Sequence, residues 1–294
     1  MSETTWMARP PRDVVVASGP SALSFLQSLV SQDLDRLADR QSAHSLLLTP
    51  QGKLDVDFQI ALVGDEAWLV CEGGFGEHLA ASLDRFKIRV QVALAERRDF
   101  AALAVRGPEP AARTRPGDDT VVVPVPWPGG DRFDVVGLAP AVDEVEAALA
   151  ESGVARIDDD AYEALRIEAG VPRQGLDTDE KTIPQEAFLE RDAVSFDKGC
   201  FLGQELVCRI DTRGRVNRHL RKLGSIEGDR PPRGAEILVG DRVVGAVTSS
   251  VDAGELPPAA LGYVRREVEP PAPVALRWDG GEAHAVAEAL PMQL

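Results

Sequence analysis

The sequence contains little cysteine and little histidine. Its 294 residues include three cysteines and four histidines. The cysteines form no C-x-x-C motif and their number is odd, so no disulfide framework is expected. Three thiols are also too few for a typical iron–sulfur cluster held by one chain. The histidines lack metal-ligand spacing and are expected to be surface or packing residues: His44, His78, His219 and His284. We therefore predict no metal site.

Positive charge and long apolar runs are also scarce. Lysine and arginine total 32 against 48 acidic residues, which gives a net charge of −16 and a pI near 4.7. Long-range steering of nucleic acid is unfavourable at this charge, so nucleic-acid binding is not expected. No apolar run approaches about 18 residues, and the start, from Met1 to Trp6, lacks a signal-peptide pattern. The sequence predicts a cytoplasmic protein with no direct membrane contact.

The first half of the chain has the periodicities of an α/β protein. The clearest pattern is the alternation from Leu54 to Leu62, which follows a strand at Ser45–Thr49 and a turn at Pro50-Gln51-Gly52. Its other face carries Asp55 and Asp57, for which a solvated sheet face is the simplest interpretation. Further strands are predicted at Val14–Ala17, Ala67–Cys71, Ile88–Leu94, Phe100–Val105, Val121–Val125 and Phe133–Val136. Helices are predicted from Ser21 to Val30, Gly76 to Arg85 and Ala141 to Glu151, and a surface loop or short irregular helix from Gly107 to Asp119.

The second half changes character. The acidic run Asp158-Asp159-Asp160 suits the positive end of a helix that reaches Gly170. About fifteen residues with little regular pattern follow, from Pro172 to Glu186; a loop of that length is usually functional or mobile. From about Leu223 the chain becomes short strands punctuated by glycine, which predicts a small antiparallel barrel.

The stretch from Asp197 to Glu205 carries the densest chemistry. Glycines bracket Cys200, and a cationic neighbour, Lys198, together with backbone N–H groups favours thiolate over thiol. A tight loop around a buried structural cysteine is the alternative. The stretch lacks the Gly-Lys-Ser/Thr ending of a phosphate-binding loop, and its glycines are too far apart for a G-x-S-x-G nucleophile elbow.

These residues resemble the K-G-C-[YF]-x-G-Q-E signature of the YgfZ family, and the likeness continues through Val207, Arg209 and Arg213-Gly214. That family consists of folate-binding, aminomethyltransferase-like proteins linked to iron–sulfur cluster assembly and tRNA modification. Arg166–Gly170 resembles the R-x-E-A-G segment that the family shares with glycine-cleavage aminomethyltransferases. Two weaker pieces resemble the family's N-terminal segment and first hairpin: Phe25-Leu26-Gln27 with Gln32-Asp33, and Thr49–Lys53 with Asp57-Phe58.

The resemblance implies an α+β, three-lobed aminomethyltransferase-like fold that binds tetrahydrofolate or a folate derivative in a central cavity and ends in an antiparallel β-barrel. Residues 1–212 would form the folate-binding region, as two interleaved α/β lobes, and residues 213–294 the barrel domain. Aminomethyltransferases carry paired aspartates at the first hairpin, one of which activates folate N10. This chain has Val56-Asp57 there, so one carboxylate remains and transferase chemistry should be weaker.

The resemblance also implies a set of site residues. Glu168 would accept two N–H bonds from the pterin edge. Cys200 and Lys198 would carry any chemistry, and Cys200 would react with or hand over a thiol-sensitive species. Lys198 and the basic stretch Arg209–Lys222 would hold the anionic glutamate tail of folate or a partner surface. The full set of expected cofactor-binding residues is Asp57, Arg166, Glu168, Lys198, Gly199, Gly203, Gln204, Glu205 and Arg209.

Three functions follow from these observations. The leading one is a tetrahydrofolate-binding accessory factor for iron–sulfur enzymes, including tRNA-modifying ones, with iron–sulfur proteins or their assembly machinery as partners. The second is a folate-dependent one-carbon transferase that moves a methylene or aminomethyl group. A cysteine-nucleophile hydrolase is a third, which needs a histidine base such as His219. Whether the protein is an enzyme stays open at this level.

Overall fold

The computed structural model describes residues 4–108, 117–128, 132–251 and 258–291. The chain divides into two compact units. We call residues 2–157 with 190–208 the sheet unit, and residues 158–189 with 209–294 the barrel unit. The domain boundary expected after residue 212 stays a prediction.

The sheet unit contains two five-stranded sheets. The first has the order β3-β4-β5-β2-β6 and is antiparallel throughout, with β2 Arg12–Ser18, β3 Ser42–Leu48, β4 Leu54–Val63, β5 Glu66–Glu72 and β6 Ala93–Glu96. The second has the order β10-β1-β7-β9-β8, with β1 Trp6–Ala8, β7 Phe100–Arg106, β8 Thr120–Pro124, β9 Phe133–Leu138 and β10 Ala155–Arg156. Only β1 and β10 pair in parallel among these strands as described.

Alternation along β4 decides how the first sheet is buried. Val56, Phe58 and Ile60 face a core that helices α1 (Ala22–Gln27) and α2 (Gly76–Asp84) cover. The opposite face packs on the second sheet through a mostly valine and alanine layer, and helix α3 (Ala139–Glu151) covers that sheet's far side. Full burial of a valine, isoleucine or phenylalanine side chain in these layers contributes about 1.5–3 kcal/mol to stability.

Two predicted elements of the sheet unit are wrong in extent. The strand predicted at Ile88–Leu94 starts only at Ala93, because the chain leaves α2 through tight turns and Arg89 takes a left-handed φ of 58°. Ile88 is consequently 75% exposed. Helix α1 ends at Gln27 rather than Val30, which instead pairs with Leu47 beside β3. Residues 109–116 of the predicted 107–119 loop lie outside the described residues.

The barrel unit contains a closed antiparallel barrel in the order β11-β14-β13-β12-β15-β16. Its strands are β11 Arg218–Gly228, β12 Glu236–Val239, β13 Arg242–Val251, β14 Ala259–Arg265, β15 Ala272–Trp278 and β16 Gly281–Glu288. Helix α4 (Asp159–Glu168) belongs to this unit and is capped by Asp158, whose carboxylate accepts from the N–H of Ala161. The predicted helix start, the α+β class and the C-terminal barrel are confirmed.

Two short helices lead into and out of the cysteine-bearing stretch. Helix α5 (Glu190–Ala193) precedes it, and helix α6 (Gln204–Arg213) follows it. No helix in the described part of the chain is long and apolar enough to cross a membrane.

Candidate functional site

The stretch from Asp197 to Gly203 forms an irregular loop, and its last glycine touches the first hairpin. Gly203 has φ +76°, and a Cβ there would lie 2.4 Å from the carbonyl oxygen of Thr49. Gly52, in the hairpin turn, has φ +72°, and its Cβ would lie 2.6 Å from Leu206 Cβ. Both positions therefore require glycine, and the two sequence motifs that contain them are packed against each other. The expected contact between Gly203 and a cofactor stays a prediction.

Lys198 anchors this loop from within the sheet unit. Its Nζ donates to the carbonyl oxygens of Gln27, Val30 and Gln32, each at 2.8 Å. The carbonyl of Gln27 lies at the end of α1, where helical carbonyls lack intrahelical partners. An ammonium has three donors, so an anionic ligand would have to displace one carbonyl. Burial lowers the pKa of Lys198 to about 8, although the nearby charges of Asp33 and Asp35 oppose the shift. Its expected catalytic and anion-binding roles stay predictions.

Cys200 lies at the exposed tip of the loop. Gly199 beside it is also exposed, and a Cβ there would meet nothing within 4 Å. The loop is held on both sides of this tip, because the N–H of Ser195 bonds Ser31 and that of Leu202 bonds Leu29. The thiol is therefore presented to solvent by an anchored loop.

The other cysteines have different surroundings. Cys71 is buried in β5, and burial, assisted by the charge of Asp13, raises the pKa of its thiol to about 12. Cys71 therefore packs as a small hydrophobe in the strand predicted at Ala67–Cys71. Cys208 is half-buried. Gln204 and Glu205, both expected to bind the cofactor, begin α6; Gln204 accepts from the N–H of Phe201, and Glu205 is exposed.

Asp57, the single carboxylate expected at the hairpin, is bound by a histidine that the sequence did not single out. His44 Nε2 and Asp57 Oδ1 are 2.5 Å apart. Burial lowers the pKa of His44, but the charge and hydrogen bond of Asp57, aided by Asp192, outweigh it, so the net shift is upward. His44 lies directly opposite Gln59, so Asp57 is its diagonal neighbour. The alternating pattern and the turn would predict the contact between His44 and Asp57 only if the strand register were known.

The hairpin face around this pair contains further buried polar atoms. His44 Nδ1, Ser42 Oγ and Gln59 Oε1 are buried with no hydrogen-bond partner among the described residues. Asp55, on the same face of β4, makes a second histidine pair: its Oδ1 is 2.7 Å from Nε2 of the exposed His78. The face interpreted as solvated is therefore partly buried and organised by two His–Asp pairs.

Arg166 is the centre of a hydrogen-bond network in the barrel unit. Its Nε donates to Glu163 at 2.9 Å, and its Nη1 to Asp177 at 2.8 Å and to the carbonyl of Val171. Its Nη2 donates to Ser249 at 3.1 Å and also to Glu163. All five guanidinium donors are thus in use. The network ties α4 to the segment after it and to β13, and direct cofactor binding by Arg166 stays a prediction.

Glu168, two residues further along α4, is more open. Lys222 of β11 donates to its Oε1 at 2.5 Å, and the Glu168 side chain is 36% exposed. No residue in the described part of the chain hydrogen-bonds its Oε2. The Oε2 of Glu168 can therefore still accept a hydrogen bond, whereas Arg166 has no N–H left to donate.

The basic stretch Arg209–Lys222 is not one surface patch. Arg209, Arg213 and Arg215 are exposed. Arg218 pairs with Glu186 and Lys222 with Glu168, while Arg221 is buried. No cluster of three or more His, Cys, Asp or Glu side chains suited to a metal ion occurs in the described ranges.

Comparison with known proteins places these features in context. No protein-family model matches the chain. The aminomethyltransferase of Bordetella petrii is 32% identical over 199 residues, which cover 60% of this chain and 54% of that protein. The chain thus aligns with little over half of that relative's length. The tRNA-modifying protein YgfZ of Klebsiella pneumoniae is 27% identical over an alignment of 300 residues, covering 94% of this chain and 89% of that protein.

A solved structure shows the same fold. The crystal structure of glycine cleavage system aminomethyltransferase T from Bartonella henselae superimposes with a TM-score of 0.82 and 22% identity, covering 98% of this chain and 86% of that one. An identity of 22% shows that the two chains share a fold and shows nothing more. The predicted aminomethyltransferase-like fold is confirmed.

Proposed function

This chain has an aminomethyltransferase-like fold and resembles the YgfZ family along nearly its whole length, and on that premise we propose that it is a tetrahydrofolate-binding accessory factor for iron–sulfur enzymes, including enzymes that modify tRNA. Its partners are then iron–sulfur proteins or their assembly machinery. The cluster itself belongs to the partner, because this chain has only three cysteines and one of them is buried.

The observation that carries the proposal is the anchored, solvent-facing thiol of Cys200. A transferase that works through carboxylate acid–base chemistry has no need of an exposed cysteine at this loop. Lys198 and the Gly52–Gly203 contact fix the loop in one position, so the thiol is presented without the entropic cost of ordering it later. Such a thiol can engage a thiol-sensitive species on a partner protein.

Folate is proposed for the residues that resemble the aminomethyltransferase motif. The Glu168 carboxylate retains Oε2 as an acceptor for an N–H of a 2-amino-pyrimidinone edge, and Lys222 holds the carboxylate in place. Bound tetrahydrofolate would supply a one-carbon carrier. This chain would orient the pterin through the carboxylate of Glu168.

The folate proposal is tested by thermal shift of the purified chain. Tetrahydrofolate at 100 times its dissociation constant should stabilise the fold by about 2.7 kcal/mol. Glu168→Gln should remove most of this shift, because the amide repels one of the pterin donors, and should leave the unliganded stability within about 1 kcal/mol of wild type. Glu227→Gln, at an exposed position on β11 of the same unit, is the matched control. An undiminished shift in Glu168→Gln would contradict the role of Glu168.

The thiol proposal is tested in cells that lack the protein. Cys200→Ser is nearly isosteric but removes the nucleophile, so it should bind folate normally and fail to restore the activity of iron–sulfur enzymes. Cys208→Ser, which changes a half-buried thiol outside the loop, should restore it. Full restoration by Cys200→Ser would show that the thiol is dispensable.

A one-carbon transferase is the second candidate, favoured by the carboxylate of Asp57 in its partly buried pair with His44. This position corresponds by resemblance to the aspartates of aminomethyltransferases. Turnover of tetrahydrofolate with glycine-derived or N-methyl substrates, lost in Asp57→Asn, would favour this candidate. Absence of turnover together with the cellular defect of Cys200→Ser would favour the accessory factor.

A further inference from the structure

Arg221 is a buried cation at the edge of the barrel. It lies on β11, and its residue is only 9% exposed. It is paired directly with Gly262 of β14, so both residues lie on the same side of the sheet. The ladder between β11 and β16 begins one residue later, at Lys222. Arg221 therefore has a neighbouring strand on one side only.

The guanidinium of Arg221 lacks the acidic partners that its neighbours have. Arg218 bonds both carboxylate oxygens of Glu186 at 3.1 Å, and Lys222 bonds Glu168. The Nε of Arg221, by contrast, is buried and hydrogen-bonds no residue that the structure describes. No carboxylate in that part of the chain forms an ion pair with its guanidinium.

One aromatic ring partly compensates this charge. The Cζ of Arg221 lies 5.5 Å from the ring centroid of Phe188, which also stacks on His219 at 4.9 Å. Phe188 has a left-handed φ of 60°, a conformation that is strained for a bulky residue. The ring faces the cation but offers no hydrogen-bond acceptor of the kind that five N–H donors require.

An unpaired arginine in this setting stays charged. Burial lowers the pKa of Arg221, yet a guanidinium is not deprotonated in proteins. A buried charge is costly unless it is both paired and hydrogen-bonded. The missing component is therefore an anion with acceptor atoms in a plane, which is the geometry that the guanidinium fork matches.

We propose that Arg221 binds a small oxyanion, either a carboxylate or a phosphate, at its guanidinium beside the ring of Phe188. This site lies within the barrel unit and does not depend on the proposed binding of folate. Its ligand enters as an anion because the site supplies one unneutralised positive charge.

The test is anion titration of the purified full-length chain at constant ionic strength, with chloride as the balancing ion. Inorganic phosphate and acetate are the probes, and calorimetry and thermal shift are the measurements. Wild type should bind one of them saturably at one site per chain. A preference for phosphate identifies a phosphate ligand, and a preference for acetate identifies a carboxylate.

Variants assign the binding to Arg221. Arg221→Met should abolish it, and Arg221→Lys, which keeps the charge but loses the fork, should weaken it at least tenfold. Arg266→Gln, which changes an exposed arginine of the barrel unit outside the basic stretch, should bind as wild type does. Without added anion, Arg221→Met should be at least as stable as wild type, because an unpaired buried charge has been removed.

Three results would overturn the proposal. Wild type that binds neither phosphate nor acetate saturably would show that Arg221 needs no anion. Equal binding by wild type and Arg221→Met would place the anion elsewhere. If Arg221→Met does not fold, Arg221→Lys decides alone: unchanged affinity in that variant would mean that the fork is not the binding element.

Discussion

The sheet unit and the barrel unit each contain a cation that the sequence motifs suggest for ligand binding and that the fold uses internally. Lys198 binds three backbone carbonyls, whereas Arg166 binds two carboxylates, a hydroxyl and a carbonyl. Burial acts on both, and the outcomes differ. The pKa of Lys198 falls to about 8, while that of Arg166 rises because Asp177 and Glu163 outweigh burial.

The difference shows two ways of retaining a buried cation. Carbonyl dipoles satisfy hydrogen bonds but carry no net charge, so the desolvation of Lys198 is only partly offset. Carboxylates supply charge as well as acceptors, so Arg166 is neutralised within its network. Lys198 should therefore tolerate loss better than Arg166.

The largest effect is expected at Arg166. Arg166→Met leaves Asp177 buried without its cationic partner, and breaking a buried pair from one side costs about 3–5 kcal/mol. Urea denaturation, followed by circular dichroism, measures the loss. Arg233→Met removes an exposed arginine that bonds the carbonyls of Gly175 and Leu176, and it should cost less than about 1 kcal/mol. A loss below about 1 kcal/mol in Arg166→Met would contradict the structural role of the network.

A smaller and more local effect is expected at Lys198. Lys198→Met keeps the apolar part of the side chain but removes the ammonium. Three backbone carbonyls then each lose one hydrogen bond, and the total cost should be about 1–3 kcal/mol. The loop around Cys200 should loosen more than the sheets do. Hydrogen exchange of peptides from this loop should rise, with little change in the β4–β5 hairpin. Uniform acceleration across the sheet unit would mean that Lys198 supports the global fold rather than the loop.

An effect of similar size at low pH, but one that falls as pH rises, is expected at His44. Its pKa is raised in the folded state above the ordinary value of about 6.5, so its pair with Asp57 contributes fully below that pH and is lost as pH rises through the folded pKa. His44→Gln should therefore cost about 1–3 kcal/mol near pH 6 and less near pH 9. Unfolding measured across this range gives the slope.

The pair between His78 and Asp55 is the matched control for His44. It has the same chemistry on the same hairpin, but the His78 side chain is 52% exposed. Solvent and salt screen an exposed pair, so His78→Gln should change stability by less than about 1 kcal/mol at any pH in the range. Equal pH slopes in the two variants would show that burial of His44 is not the cause.

Local chemistry made much of the fold predictable. The alternation from Leu54 to Leu62 and the turn at Pro50-Gln51-Gly52 predicted a hairpin that the structure contains. Asp158 predicted a helix start through its own side chain. The strand predicted at Ala67–Cys71 is present, and Cys71 is buried in it. Prediction failed at Ile88 because a left-handed Arg89 after a helix leaves no periodic signal.

The candidate site was predictable as a set of residues but not as a set of contacts. Lys198, Cys200 and Glu168 were identified from motifs, yet Lys198 donates to a carbonyl 171 positions earlier in the chain. His44 was missed because its partner is fixed by strand register and not by spacing. The free guanidinium of Arg221 was hidden in a basic stretch, where sequence alone does not distinguish paired from unpaired charges.

By itself the sequence determined where strands, turns and helix caps form, and which short motifs carry glycine, thiol and carboxylate. These properties depend on a residue and its near neighbours, so periodicity and side-chain chemistry suffice. Tertiary structure alone decided which cations are paired with carboxylates, which carboxylates are hydrogen-bonded to a histidine and which thiol is exposed to solvent. Burial and hydrogen bonding between distant segments set those outcomes, because desolvation and charge act through space and not along the chain.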